Sequence, residues 1–253
     1  MDLDLTDRVY VLTGATSGLG RATAQALVAD GARVVVSGRS QASVAGAAAE
    51  IGDPDHVIGV VADNADVEAP GRLLSAASHA WGRVDGALIS VGGPPPGSAM
   101  TVTDDQWETA FSSIFLGAVR MAREIAGALE DGGSLAFVLS SSVRQAIPGL
   151  AISNGLRPGL AMVAKTLAAE LGGQGIRVNG LLPGRIATER VAELDAATGD
   201  AATARQRAQE AIPLQRYGEP AEFGRVAAFL LSPAASFLSG AMVPVDGGVS
   251  PSL

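Results

Sequence analysis

Short and almost continuously apolar runs alternate along the chain with longer segments whose apolar residues recur at helical spacing. Such runs are typical of strands buried on both faces of a parallel sheet. Seven runs of this kind begin at Arg8, Ala32, His56, Val84, Ser134, Ile176 and Ala241. We therefore predict seven strands.

The intervening segments predict helices, with the clearest ones at residues 22–29, 68–81 and 104–129. A further segment places Leu156, Leu160, Val163, Leu167 and Leu171 on one helical face. Strands and helices that alternate in this way favour an α/β fold. We predict one domain over residues 1–253, a Rossmann-type doubly wound parallel sheet of seven strands with helices on both faces.

The composition narrows the possible functions. Hydrophobic residues make up 47% of the 253 residues and charged residues 17%, which is enough apolar material for a large core. The net charge of −8 argues against nucleic acid as a partner, because phosphate binding needs a basic surface. The chain has no cysteine, and His56 and His79 lie far apart without a third ligand nearby, so no metal site is predicted.

One uncharged stretch, residues 226–245, raises the question of a membrane span. Ser232, Pro233 and Pro244 interrupt it, whereas a spanning helix needs about 20 mainly apolar residues. We interpret it as a buried helix followed by a core strand. The N-terminus, "MDLDLTDR", is acidic and has no apolar core, unlike a signal peptide. We therefore expect a cytoplasmic protein without a membrane partner.

The segment "TGATSGLG", residues 13–20, follows the first predicted strand and opens a helix. Gly14 allows a tight turn, Gly18 lets the backbone approach a pyrophosphate, and Gly20 allows close packing of helix and strand. Free N–H groups at the helix start then face the phosphates, and Ser17 and Leu19 belong to the same turn. The alternative is a purely structural turn, but the strand–turn–helix context favours a dinucleotide site.

The second predicted strand ends "VVVSGRS". An acidic residue there would bind the ribose 2′-hydroxyl of NAD, but the chain has Gly38 followed by Arg39. A guanidinium suits a 2′-phosphate, so we predict NADP(H) in preference to NAD(H). The alternative is a surface arginine without a ligand.

The glycine segment resembles the Thr-Gly-x-x-x-Gly-x-Gly motif of the short-chain dehydrogenase/reductase superfamily, and the resemblance covers nearly the whole chain. "ADN" at 62–64 and "LLPGRIATE" at 181–189 match further segments of that family, and "LISVGG" at 88–93 has Ile89 and Ser90 where relatives carry two asparagines. The resemblance implies cofactor contacts beyond the glycine turn at Asp63, Asn64, Ser90, Gly92, Arg157, Pro183, Gly184, Ile186 and Thr188.

The resemblance also exposes an altered catalytic site. Relatives use a tyrosine as proton donor, a lysine one helical turn later, a serine and an asparagine. Here the tyrosine and lysine positions hold Ser153 and Arg157, and Ile114 replaces the asparagine. Within "LSSSV", motif matching selects Ser142 as the remaining serine, whereas the usual separation in the family selects Ser140; we favour Ser142. Ser142, Ser153 and Arg157 are the candidate catalytic residues.

Pro158 lies one residue after Arg157 and disturbs a helix at this point, since proline removes one backbone hydrogen bond. The helix either starts early and kinks beside the site or begins irregularly near Asn154. The segments "SNGLR" and "GGPPPG", residues 92–97, resemble a 3-oxoacyl-carrier-protein-reductase-like branch that shares the Ser-Asn-x-x-Arg replacement. A shared replacement favours an adapted site over simple decay.

The substrate walls are less determined. Residues 188–209 form either a substrate lid or an ordinary pair of surface helices, and Met100, Thr101 and residues 193–209 are candidate wall residues. The closing segment "FLSGAMVPVDGG" at 237–248 lies at a tetramer interface in relatives. The resemblance thus implies a homo-oligomer, a tetramer or dimer that uses residues 104–129 and the C-terminal strand.

Three functions fit these observations. The first is an NADP(H)-dependent oxidoreductase for a small carbonyl or alcohol substrate, in which Ser142 orients the substrate oxygen and Arg157 holds the ribose or polarises the carbonyl. Ser153 or water would then supply the proton. The second is a cofactor-binding pseudoenzyme that acts as a sensor, scaffold or partner subunit. The third keeps the cofactor but catalyses a different reaction, such as the reduction of an activated double bond. We favour the first, because the cofactor motifs are intact.

Overall fold

The computed structural model describes residues 2–129 and 132–251. Its seven strands form one sheet of order β3-β2-β1-β4-β5-β6-β7, in which every neighbouring pair is parallel. The strands are β1 Val9–Leu12, β2 Arg33–Gly38, β3 Val57–Val61, β4 Gly86–Ile89, β5 Ser134–Val138, β6 Arg177–Pro183 and β7 Met242–Val245. The predicted sheet of seven parallel strands is confirmed.

The helices lie between the strands, as the pattern of apolar residues predicts. They are α1 Gly18–Ala29, α2 Gln41–Ile51, α3 Ala69–Trp81, α4 Asp104–Ala110, α5 Gly117–Ala126, α6 Ala151–Leu171, α7 Glu189–Ala196, α8 Ala201–Ala211 and α9 Pro220–Leu231. Residues 226–245 contain the end of α9 and then β7, which confirms the buried helix; the predicted core strand is wrong, because β7 lies at the edge of the sheet and is only partly buried. Among the described residues, no helix has the length and apolarity needed to cross a membrane.

The sheet separates two apolar layers. Val9 and Val11 of β1 face the layer that contains α3, α5 and α6, whereas Tyr10 and Leu12 face the layer of α1, α2 and α9. Alternate side chains of a strand point to opposite faces, so both faces of β1 are covered. This double burial explains why the strands appear in the sequence as continuous apolar runs. The prediction of helices on both faces is confirmed.

The predicted single helix over residues 104–129 is wrong in detail. The chain forms α4, then a π-helical turn at Phe111–Leu116, then α5, which ends at Ala126. Gly117, at the end of the turn, lies against the backbone carbonyl of Asn64, where a Cβ atom would clash. The wider turn therefore lies beside the loop that follows β3, and π-helical turns of this kind are frequent at functional sites.

The helix that carries the altered motif starts early. α6 begins at Ala151 and continues through Pro158 to Leu171, so the alternative start near Asn154 is wrong. Proline has no backbone N–H, so the Asn154 carbonyl lacks its usual helical donor at residue 158. Residues 153 and 157 consequently lie one turn apart on an established helix, and both are buried.

Candidate active site

The glycine segment forms a tight turn between β1 and α1. Gly14 and Gly18 have φ angles of +56° and +53°, a region that favours glycine. A Cβ atom on Gly14 would lie 2.9 Å from the Ser90 carbonyl oxygen, and one on Gly20 would lie 2.5 Å from the Gly14 oxygen. The turn therefore needs glycine for its conformation and for its close approach to the end of β4.

Two adjoining clefts open at the carboxyl ends of the strands. The first, here the β3-side cleft, has a volume of about 620 Å³, and the second, the β6-side cleft, about 680 Å³. Both are lined by Gly14, Ser17, Arg39, Ser90 and Gly92. The β3-side cleft adds Asp63 and Asn64, and the β6-side cleft adds Gly18, Leu19, Gly20, Arg157, Pro183, Gly184, Ile186 and Thr188. The structure thus gathers all the predicted cofactor contacts around this pair of clefts.

A small hydrogen-bond network fixes the region where the clefts meet. The Thr13 hydroxyl donates to the Ser90 carbonyl at 2.7 Å and accepts from the Ser90 N–H at 2.9 Å. The Asn64 side-chain amide donates to the same carbonyl at 3.2 Å. Thr13 was not among the predicted site residues, although it begins the quoted glycine segment. It joins the glycine turn to the end of β4.

Arg157 lines the β6-side cleft, yet it is only 5% exposed. Its guanidinium donates to the carbonyl of Val138 at 2.6 Å and to those of Val91 and Gly92 at 3.4 Å. No carboxylate neutralises the charge among the described residues, and Nε has no hydrogen-bond partner there. Burial lowers the pKa of Arg157 to about 10, which still leaves it cationic at neutral pH. The cleft therefore contains an unneutralised positive charge.

The other two candidate catalytic residues lie together but outside the clefts. Ser142 and Ser153 are 4% and 6% exposed, and their hydroxyl oxygens are 3.1 Å apart. Ser140 and Ser141 line the β6-side cleft instead. The Ser140 hydroxyl accepts a hydrogen bond from the Ser142 N–H at 3.1 Å, which leaves its own proton available for donation. The structure therefore places Ser140, the serine selected by the family's usual separation, at the cleft.

Asn154 is a further residue that sequence reasoning did not select. Its side chain accepts from the Ile147 N–H and donates to the Ile147 carbonyl, both at 2.9 Å. This pair of bonds fastens α6 to the preceding loop. The available signal was the "SNGLR" segment, in which Asn154 directly follows Ser153.

Residues 188–209, for which the sequence left a substrate lid or a pair of surface helices open, contain α7 and most of α8. Only α7 lines a cleft. Thr188 caps α7, and Val191, Glu193 and Leu194 line the β6-side cleft, whereas α8 lines neither cleft. Arg190 donates to the Pro94 carbonyl at 2.6 Å, which links α7 to the 92–97 loop. Whether α7 moves as a lid stays a prediction.

Two of the predicted wall residues were placed wrongly. Met100 is 93% exposed, and neither Met100 nor Thr101 lines either cleft. They follow the proline run, whose Gly97 instead pairs with the backbone at Gly149 and Ala151. The pairing directs residues 100 and 101 outwards, and side chains of α4 and of the π-helical turn, between Asp105 and Ile114, form the adjacent wall.

The clefts contain no phenol. The chain has two tyrosines, and both are buried elsewhere: Tyr10 donates to the Leu231 carbonyl, and Tyr217 to the Asp195 carboxylate at 2.9 Å. Ile114 lines the β3-side cleft with a side chain that cannot carry a proton. Within residues 2–129 and 132–251, no cluster of acidic, histidine or cysteine side chains is suited to hold a metal ion. The clefts therefore offer the buried cation of Arg157, serine hydroxyls, backbone amides and the carboxylates of Asp63, Asp105, Glu189 and Glu193.

These residues fit a dinucleotide. The turn at residues 13–20 brings amide groups to the start of α1, where they can bind phosphates, and the added-Cβ clashes at Gly14 and Gly20 show how closely it is packed. Arg39 is exposed where it lines both clefts, so a phosphate there could reach it from solvent.

Comparison with known proteins gives one consistent family. A family model described as enoyl-(acyl carrier protein) reductase matches residues 14–250. The 3-oxoacyl-[acyl-carrier-protein] reductase MabA of Mycobacterium tuberculosis is 31% identical over 96% of this chain and 92% of its own. Human dehydrogenase/reductase SDR family member 4 is 33% identical over 96% and 88%. The L-sorbose reductase of Gluconobacter frateurii, solved with NADPH and L-sorbose, superposes with a TM-score of 0.93 at 27% identity over 100% of both chains.

Proposed function

Because the chain belongs to the short-chain dehydrogenase/reductase superfamily, we propose that it is an NADP(H)-dependent oxidoreductase that reduces a carbonyl group to an alcohol at an atypical site. The observation that carries this proposal is Arg157, a buried cation that lines the β6-side cleft and has no carboxylate partner within residues 2–129 and 132–251. A buried charge of this kind stabilises negative charge that develops on a substrate.

The cofactor preference rests on Arg39. Its guanidinium is exposed where it lines both clefts, and the residue before it is Gly38 rather than an acidic residue. An arginine there favours the 2′-phosphate of NADP(H), whereas NAD(H) offers it only a hydroxyl. The similar L-sorbose reductase was solved with NADPH, which agrees with this preference.

Each residue then has a defined task. The amides of the 13–20 turn hold the pyrophosphate, and Asp63 and Asn64 line the β3-side cleft. When bound, the reduced nicotinamide supplies the hydride. Arg157 stabilises the carbonyl oxygen as it becomes an alkoxide, the Ser140 hydroxyl donates a hydrogen bond to that oxygen, and water supplies the final proton.

The missing phenol limits the substrates. Positioned acid catalysis contributes roughly 10²–10⁴-fold, and a site without that contribution turns over ordinary ketones slowly. Activated diketones and quinones need little acid catalysis, because their reduced forms are already stabilised. We therefore expect such compounds to be the better substrates.

The test begins with binding and continues with turnover. We expect NADPH, measured by its fluorescence, to bind at least tenfold more tightly than NADH, and Arg39→Ala to weaken only NADPH. Turnover of 2,3-butanedione should fall about tenfold or more in Ser140→Ala, because this variant loses the hydroxyl that donates a hydrogen bond to the substrate oxygen. It should change little in Ser142→Ala, which keeps that hydroxyl. NADPH binding without turnover of any diketone or quinone would instead support the pseudoenzyme.

Two further expectations belong to the same proposal. We place the enzyme in the cytoplasm, and we expect a homodimer or homotetramer that uses the α4–α5 region and β7. Light scattering on the purified protein measures the second of these directly.

A further inference from the structure

The β6-side cleft has an aliphatic side that the proposed chemistry does not use. Ile147 and Leu150 approach from the loop before α6, and Val191 and Leu194 approach from α7. All four side chains are half-buried, so part of their apolar surface still contacts water. Covering that surface with a hydrocarbon group is favourable in proportion to the area removed from water.

The arginines beside these residues already have partners. Arg190 bonds to the Pro94 carbonyl and forms an ion pair with Glu193 at 3.2 Å. Arg185 pairs with the buried Asp195 carboxylate at 2.7 Å. Recruiting either guanidinium to a polar substrate would break an existing contact, so the side of the cleft near α7 favours an apolar ligand.

The wall formed by Ile147 and Leu150 is held from two directions. Asn154 bonds to both backbone groups of Ile147. On the other side, Gly97 donates to the Gly149 carbonyl at 2.7 Å and accepts from the Ala151 N–H at 3.1 Å. The loop is thus fixed between α6 and the proline run, which gives the aliphatic side chains a defined position.

Resting on the function proposed above, we propose that this wall and α7 form an apolar subsite for the hydrocarbon part of the carbonyl substrate. Asn154 acts as a positioning residue for the subsite. The substrate class is an aliphatic or alicyclic ketone or diketone, and polyhydroxylated carbonyl compounds are excluded because their hydroxyl groups would lose hydrogen bonds to water there.

The first test varies the length of the substrate. For linear 2,3-diones of four to seven carbons, kcat/KM should rise by about fourfold for each added methylene until the subsite is full. L-Sorbose should be at least tenfold poorer than 2,3-heptanedione. A kcat/KM that does not change with chain length would overturn the proposal.

Matched variants locate the effect. Leu150→Asn should flatten the dependence on chain length, because it places a polar amide in the apolar wall. Leu214→Asn makes the same change at a side chain that is 63% exposed and lines neither cleft, and it should keep the dependence intact. Equal flattening in both variants would show a general effect on the fold and overturn the assignment.

The positioning role of Asn154 has its own readout. Asn154→Ala should raise KM for 2,3-heptanedione by about tenfold and flatten the dependence on chain length, while the Kd for NADPH stays unchanged. Asn154→Asp keeps an acceptor for the Ile147 N–H but cannot donate to the carbonyl, so its effect should be similar in kind. An unchanged slope in Asn154→Ala would overturn this role.

Calorimetric titration with alcohols separates the subsite from the proposed function. 2-Heptanol should bind the protein at least tenfold more tightly than 2-butanol, and Leu150→Asn should remove the difference. If no dione is turned over but this difference remains, the function fails and the subsite stands. If diones are turned over without the difference, the subsite fails and the function stands.

Discussion

At the scale of single residues, Arg157 is the most unusual group in the protein. Desolvating a cation is costly unless a partner compensates, and its three acceptors are all neutral carbonyls. Arg177 is a second buried arginine that bonds to carbonyls, in this case those at the end of α9, but it lies away from both clefts. Comparing Arg157 with Arg177 therefore separates the catalytic role of a buried arginine from its structural role.

We expect Arg157→Met to lower kcat by about 10²–10³-fold, because it removes charge stabilisation from the reacting oxygen. Its melting temperature should change little, since the relief of an unpaired buried charge opposes the loss of hydrogen bonds. Arg177→Met should lower stability by about 1–3 kcal/mol with little effect on kcat. Steady-state kinetics and thermal melting of both variants provide the comparison, and equal losses of kcat would contradict the catalytic role.

The sequence predicted individual residues unevenly. The glycines of the 13–20 turn were found because a turn with positive φ demands that residue type, and Arg39 was placed at the clefts because it directly follows β2. The sequence analysis ranked Ser140 below Ser142 and did not select Asn154 or Thr13. Hydroxyl and amide side chains serve many structural roles, so their residue type alone does not mark a site. In the folded chain Ser142 turns towards Ser153, whereas Ser140 lines the cleft, and neither placement follows from the residue type.

At the scale of elements, the packing of α9 against α1 depends on one glycine. A Cβ atom on Gly224 of α9 would clash with the backbone carbonyl of Ala22 in α1. Gly46 lies within α2 with nothing within 4 Å of an added Cβ atom. The same substitution therefore has opposite consequences on the two helices.

Gly224→Ala should lower the free energy of unfolding by about 1–3 kcal/mol, because the two backbones must separate. Gly46→Ala should raise it by about 0.5–1 kcal/mol through improved helix propensity. Chemical denaturation measures both. Equal destabilisation of the two variants would show that the α1–α9 contact is not the cause.

The start of α9 should respond to acid. The hydrogen bond from Arg216, followed by that from the Glu219 N–H, lowers the pKa of Glu222 to about 2. The unfolded chain protonates this carboxyl near its ordinary value of 4.5, so the stabilisation is complete above that pH and is lost as the pH falls towards 2. Glu222→Gln should therefore melt below the wild type at pH 6, and the gap should shrink by pH 3; a gap that does not change with pH would contradict this.

Elements were predicted well where burial alone decides them. All seven strands were found, because β1, β4 and β5 at the centre of the sheet are fully buried and the runs of all seven are mainly apolar. The π-helical turn was missed because it depends on the approach of Gly117 to Asn64, a contact between residues far apart in sequence. The early start of α6 was left open because the local effect of Pro158 and the tertiary bonds of Asn154 act in opposite directions.

At the scale of the whole molecule, the folded chain and its cofactor should stabilise each other. A ligand that binds only the folded state stabilises it by about 2.7 kcal/mol at a concentration of 100 times its Kd. We expect NADPH to raise the melting temperature and Arg39→Ala to reduce that rise at the same NADPH concentration. If NADPH leaves the melting temperature unchanged at every concentration, the cofactor proposal fails.

The bond between Arg190 and Pro94 has a consequence for the kinetics of the enzyme. The 92–97 loop is held by Arg157 at one end and by residues 149–151 at the other, and Arg190 is the side chain that joins α7 to it. In stopped-flow measurements, we expect the observed rate of NADPH association to reach a plateau as the NADPH concentration increases. The rate at which α7 separates from this loop sets the height of the plateau. Arg190→Ala should raise that plateau, and residence of the nucleotide on the enzyme should shorten with it.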